Sequence, residues 1–185
     1  MLNLRKANIS DSKDIWKWRN NTLTRKNFIN QKVISWNEHS DWFKKNLKNK
    51  DVLIIIATIN KNEKIGVIRY DKIAKYEFDI SININPKYRN KKMGSEFLLK
   101  SEKFIKKNTV ILSRVKPNNL TSISLFLKCN YKKIGTDKGM IFLKKIIDVK
   151  DLDINKEFEA NKALKIINKI QNIRSKNNVN WMDIL

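Results

Sequence analysis

Three strand-like runs follow one another with little chain between them: "VLIIIATI" (52–59), "KIGVIRYD" (64–71) and "KYEFDISINI" (75–84). A turn at "NKNE" joins the first two. The third leads instead through "NPKYRNKKMGSEF" (85–97), a loop rich in Lys, Arg and Asn, into "MGSEFLLKSEKFIKK", which reads as a helix to about Lys107. That helix starts near Gly94, the one glycine of the stretch. A helix N-terminus carries unsatisfied N–H groups and a partial positive charge, so it holds phosphate well. A basic strand-to-helix junction of this kind is expected to be a phosphate cradle.

The flanking segments complete the pattern. "LNLRKA" (2–7) alternates as a first strand, and "ISDSKDIWKWRNN" (9–21) reads as a helix with Ser10 or Asp11 at its N-cap. Residues 22–34 lack a clear period and read as a loop. "SWNEHSDWFKKNL" (35–47) is a second helix, with Ser35 and Glu38 in capping-box spacing. After the basic loop and its helix come a strand (109–115), a short helix (118–129) and a closing pair of strands, "NYKKIG" and "GMIFLKKII". The order is β-α-α-β-β-β-α-β-α-β-β, an α/β chain of mixed α+β type. Residues 1–148 form one domain, and residues 149–185 read as an appendage built on one long polar helix.

Composition excludes several classes. One cysteine, Cys129, and one histidine, His39, leave no disulfide and no zinc site, so no metal is expected. The longest apolar run is far too short to span a membrane, and the N-terminus lacks an apolar segment of signal length, so a cytoplasmic protein without membrane association is expected. The net charge of +22 invites a nucleic-acid reading. Only seven residues are arginine, however, and lysine is spread along the chain among many Asn and Ile. That is the signature of an AT-rich coding bias and a solvated surface, so no nucleic-acid partner is expected.

Two stretches resemble the GNAT N-acetyltransferase superfamily. In that superfamily the acetyl-coenzyme-A loop after the central strand reads Arg/Gln-x-x-Gly-x-Gly/Ala; here it is Arg89-Asn90-Lys91-Lys92-Met93-Gly94, with Lys92 at the first glycine. The second stretch supplies Asn119, Ser122, Leu125-Phe126 and Asn130-Tyr131, where Asn130 replaces the usual glycine. The resemblance implies a GNAT fold with a central, mostly antiparallel, twisted sheet flanked by helices, and acetyl-CoA (coenzyme A) as cofactor. It implies that Ile82, Asn83, Ile84, Arg89, Asn90, Lys91, Lys92, Met93, Gly94, Ser95, Asn119, Ser122 and Phe126 bind that cofactor. "WRNN", "FIN", "ISWNEHSDWF" and "GVIRYD" further resemble nucleotide-sugar 4-amino N-acetyltransferases of pseudaminic-acid-type biosynthesis. That likeness implies a nucleotide sugar as acceptor, held by Arg19, Trp36, His39, Trp42 and Arg69. Ribosomal-type protein N-terminal acetyltransferases are the rival, and a basic nucleic-acid-binding module or an inactive scaffold the non-enzymatic alternatives.

The implied chemistry is attack of a neutral amine on a thioester in the gap where the central strand splays from its neighbour. Alternation places Glu77, Asp79 and Ser81 on one strand face and Phe78, Ile80 and Ile82 on the other. Asp79 or Glu77 is then the candidate base acting through water. Phe126 stands where many relatives carry a Tyr acid, so Tyr131 or Tyr88 is the acid candidate unless the thiolate leaves toward water. A homodimer or a partner of the tail is the remaining expectation.

Overall fold

A computed structural model describes residues 1–28, 30–60 and 63–147 of the 185. In chain order the elements are β1 (Asn3–Lys6), α1 (Ser12–Asn20), α2 (Thr22–Asn27), α3 (Trp36–Lys48), β2 (Val52–Ile59), β3 (Glu63–Ala74), β4 (Glu77–Ile84), α4 (Met93–Ser101), β5 (Thr109–Val115), α5 (Leu120–Lys128), β6 (Lys132–Asp137) and β7 (Met140–Ile147). The seven strands form one sheet in the order β1-β2-β3-β4-β5-β7-β6. Every neighbouring pair is antiparallel except β4 and β5. This is the expected mixed α+β fold.

Helices cover both faces, which explains the unbroken apolar run in β2. Ile55 and Ala57 belong to the larger core with Phe97, Leu98 and Phe126 of α4 and α5. Ile54 and Ile56 belong to a second core with Ile15 and Trp18 of α1 and Trp42 and Phe43 of α3. A strand buried on both faces cannot afford alternating polar residues. No helix among the described residues is long and apolar enough to cross a membrane.

Two local readings need correction and a third needs extending. Residues 22–27 are helical: Asn21 caps α2 by accepting the Thr24 N–H, a signal too short to register as periodicity. Asp11, one of the two N-cap candidates, does stand at the N-cap of α1, without a side-chain cap bond, and a further turn precedes it. Asn8 caps a 3₁₀ turn over Ile9–Asp11, its side chain accepting from Ser10 N while Asp11 accepts from Asn8 N. The helix after the basic loop ends at Ser101, not near Lys107. Ser101 Oγ donates to the Leu98 carbonyl, and a 3₁₀ turn, Glu102–Phe104, follows, where Lys145 of β7 holds Glu102 at 2.6 Å. The helical appendage and the boundary at residue 148 lie outside the described residues.

Asp11 is the ionic anchor of the N-terminal layer. Its fully buried carboxylate accepts both guanidinium nitrogens of Arg5 at 2.7 Å, and Lys64 of β3 lies 2.9 Å away. Burial would raise its pKa, but the hydrogen bonds from Arg5, from the Asn8 backbone and from Lys64 outweigh that and hold it below the usual range. A depressed carboxylate pKa stabilises the fold above the unfolded value, near 3.8, and the contribution disappears as the pH falls through the folded value. Asp11→Ala is therefore expected to cost about 2–3 kcal/mol at neutral pH, and urea-denaturation midpoints of the two proteins should converge as the pH drops below that range.

Candidate functional site

The site begins with a break in the sheet. β4 and β5 pair only at Glu77–Val110, Phe78–Ile111 and Asp79–Leu112. Beyond Asp79 the two parallel strands part, while β4 stays registered on β3 out to Ile84. Backbone groups of residues 80–84 on the β5 side are thus released from the sheet. Into this opening runs a cleft of about 810 Å³, bounded by residues 82–84 of β4, the basic loop, the start of α4 and one face of α5.

The loop is shaped for an anion. Asn90 (φ 60°) and Lys92 (φ 58°) both adopt the left-handed conformation, and α4 begins at the next residue, Met93. A left-handed residue followed by right-handed ones turns successive N–H groups into one concavity, here at a helix N-terminus. Lys92 has no side-chain cap bond to the helix, so the first N–H groups of α4 face the cleft uncapped. Among the described residues three cations, Arg89, Lys92 and Lys128, line the cleft, and no carboxylate does. Arg89 is half-buried; its guanidinium donates to the Ile84 carbonyl at 3.4 Å, to Asn21 Oδ1 at 3.3 Å and to Thr24 Oγ1. Burial lowers its pKa. Its role is to tie the loop to α2 as well as to charge the cleft wall.

Eleven of the thirteen residues expected at the cofactor line this cleft: residues 82–84, Arg89, Asn90, Lys92, Met93, Gly94, Ser95, Asn119 and Ser122. Two do not. Lys91 turns its ammonium over the Tyr88 ring, 4.8 Å from the centroid, and Phe126 is fully buried in the core, edge-on to Tyr131. Asn119 is also the N-cap of α5, accepting the Ser122 N–H at 3.2 Å. At Gly94 a Cβ would stand 3.3 Å from Leu125 Cδ1, where α4 packs on α5.

A second, narrow pocket, with only about 20 Å³ of free space in this structure, meets the cleft at Ile82 and Asn83, which line both. Its walls come from α1, α3 and strands β2, β3 and β4. Arg19, Trp42 and Arg69 converge here, with Ser81 and Asn83 of β4. Arg19 stacks on Phe28, its Cζ 3.8 Å from the ring centroid, and donates to the Asn30 carbonyl. Trp36 and His39 do not line the pocket. Trp36 packs edge-on against Trp16 and is partly exposed. His39 is fully buried and stacked on Phe43. Its Nε2–H donates to the Ser12 carbonyl at 2.8 Å, and burial pushes its pKa down to about 4, so it is a neutral brace between α3 and α1.

Among the candidates for proton transfer, Asp79 is fully buried on β4 and lines neither hollow; it lies across from Asp71 on β3 and Leu112 on β5, two residues behind Ser81, which does line the second pocket. Glu77 lies at the closed end, where β4 and β5 are still paired, and lines neither hollow. Tyr131 is withdrawn into the larger core; burial, with Tyr70 and Glu102 near it, raises its phenol well above the ordinary value. Tyr88, in contrast, lines the cleft.

Several lining residues were missed from sequence. Thr24 and Asn27 were hidden because their segment read as loop. Thr121, Ser124, Leu125 and Lys128 fall at helical spacing on one face of α5, a signal present once Ser122 is taken as helical. Gly66 of β3 was also missed: a Cβ on it would meet the Asn83 carbonyl oxygen at 2.7 Å. It lets β3 seat the β4 segment shared by both hollows.

The chain matches the family model described as acetyltransferase (GNAT) domain over residues 1–132. Among solved structures, a domain from Methanocaldococcus jannaschii superposes with a TM-score of 0.67 at 22% identity, over 80% of this chain and 99% of that one. Spermidine N-acetyltransferase from Vibrio cholerae, in complex with CoA and spermine, gives 0.69 at 15% identity, over 78% and 95%. An aminoglycoside acetyltransferase in complex with coenzyme A gives 0.67 at 15%, over 79% and 95%. Comparison with curated proteins yields no significant match.

The seat under β4 is open to test. Gly66→Ala is expected to push the Asn83 backbone toward the cleft, lowering kcat by about tenfold or more. A shift of one ångström at a reacting centre has effects of that order. Steady-state kinetics on the purified variant, with its denaturation midpoint as control, would check this.

Proposed function

This chain belongs to the GNAT acetyltransferase domain family, and from that membership we propose that the amine it acetylates is carried by a nucleotide-activated amino sugar of the UDP-4-amino-4,6-dideoxy type. Membership makes the protein an acetyl-CoA-dependent N-acetyltransferase. The observation that carries the finer reading is the convergence of Arg19, Trp42 and Arg69 on one pocket that adjoins the cofactor cleft at Ile82 and Asn83.

The described residues fit the cofactor. An uncapped helix start, three cations and no carboxylate suit its phosphates, and the released edge of β4 suits an extended amide-bearing arm. Bound there, acetyl-CoA supplies an activated acetyl thioester. The backbone N–H groups of Ile82 and Ile84, which alternation turns to the gap side of β4, polarise a carbonyl placed there. Ser81 and Asn83 orient the incoming amine from the pocket side. Asp79, two residues from Ser81, draws the ammonium proton through an intervening water. Tyr88 is the cleft phenol available to the leaving sulfur.

The pocket argues against other acceptors. Spermidine and aminoglycosides, which two structural relatives take by name, are polycations, and a pocket lined by two arginines disfavours them. A peptide N-terminus needs an open groove with backbone partners, whereas this pocket is walled by two helices and three strands. A nucleotide sugar brings a diphosphate for the arginines and a flat group for Trp42.

Release of coenzyme A should be followed with UDP-4-amino sugars, amines without phosphate, and ribosomal-protein N-terminal peptides. The expected result is turnover of the nucleotide sugars. Arg19→Ala should raise their KM by about tenfold or more, leaving that for acetyl-CoA within twofold. Efficient acetylation of the peptides with no turnover of any sugar would establish the protein-acetyltransferase reading instead.

A further inference from the structure

Resting on the acceptor-pocket reading above, we infer that Arg69 is the specificity-determining residue of that pocket and that it selects acceptors bearing a phosphate-type oxyanion. The two arginines of the pocket are not equivalent. Arg19 is held: its guanidinium lies on the Phe28 ring and donates to the Asn30 carbonyl. Arg69 is 1% exposed, and its Nη2 lies 2.7 Å from Asp71 Oδ2. Its Nε and Nη1 are buried with no hydrogen-bond partner among the described residues. Trp42 flanks it, with the ring centroid 5.3 Å from Cζ.

Guanidinium N–H groups removed from water are strong donors awaiting acceptors, and their fork matches two oxygens of a phosphate. Asp71 supplies one countercharge; the other two nitrogens are sealed from solvent in a side chain that lines the pocket, so an oxyanion reaches them only where the pocket, with about 20 Å³ of free space here, widens. Cross-strand register sets where the oxyanion sits. Arg69 is opposite Ser81, and Asn83, which adjoins the cofactor cleft, is two residues further along β4. At strand rise these two backbone positions are roughly 7 Å apart, a spacing that an acceptor with about one sugar ring between oxyanion and amine would match. The same guanidinium repels a polycationic amine.

The test uses inorganic pyrophosphate as the probe, by calorimetry, on the full chain saturated with coenzyme A so that the α4 cradle is already filled. Wild-type protein is expected to bind pyrophosphate, Arg69→Gln to bind it at least tenfold more weakly, and Asp71→Asn, which removes the competing carboxylate, to bind it more tightly. Unchanged affinity for coenzyme A reports an intact fold in each variant. Absence of binding to the wild-type protein, or equal binding by Arg69→Gln, overturns the assignment. If Arg69→Gln does not fold, Asp71→Asn decides: tighter binding supports the assignment, and unchanged or weaker binding overturns it. Arg69-dependent pyrophosphate binding without turnover of any nucleotide sugar supports this inference while removing the nucleotide-sugar acceptor.

Discussion

The parting of β4 from β5 after Asp79 is the constraint on which the site depends. Two parallel strands that stayed paired would bury their N–H and C=O groups in the ladder. By separating after three residue pairs, they expose the β5-side backbone of β4 while β3 still holds its other edge. The released edge lies between α4, whose uncapped start bounds the cleft, and the pocket under α1 and α3. One structural event thus opens the cleft at the β4 segment, residues 82 and 83, that also lines the second pocket. Gly66 matters for the same reason, because only a residue without Cβ lets β3 approach the Asn83 carbonyl so closely.

Electrostatics divide the molecule by function. At the N-terminal layer, buried Asp11 is matched by Arg5 and Lys64, and the charges serve the fold. At the cleft, Arg89, Lys92 and Lys128 line a wall without a carboxylate, which suits an anionic ligand. The high net charge of the sequence conceals this division, since most lysines are surface residues. The informative positive charges are those placed by the loop, by α5 and by β3.

The strand succession, the helices around it and the basic junction were legible in the sequence because they rest on local signals: alternation, an N-cap at Ser35, a glycine at a helix start. Most of the cleft-lining residues were legible for the same reason, since they lie in two short stretches. The second pocket was only half legible. Trp36, His39 and Trp42 share one helix, and spacing alone could not say that His39 points into the core against Ser12 while Trp42 reaches the pocket. Tyr131 and Glu77 were plausible by residue type, but one is buried behind the sheet and the other lies at its closed end. The capping of α2 by Asn21 and the early end of α4 depend on single side-chain bonds that carry no period.

Amide hydrogen exchange with and without coenzyme A tests the central claim most directly. If the break in the sheet and the helix start hold the cofactor, coenzyme A will slow exchange at residues 82–84 and 92–95 together. It will leave β2, on the far side of β3 from the break, unchanged. Protection confined to other segments, with these two stretches unaffected, would contradict the account.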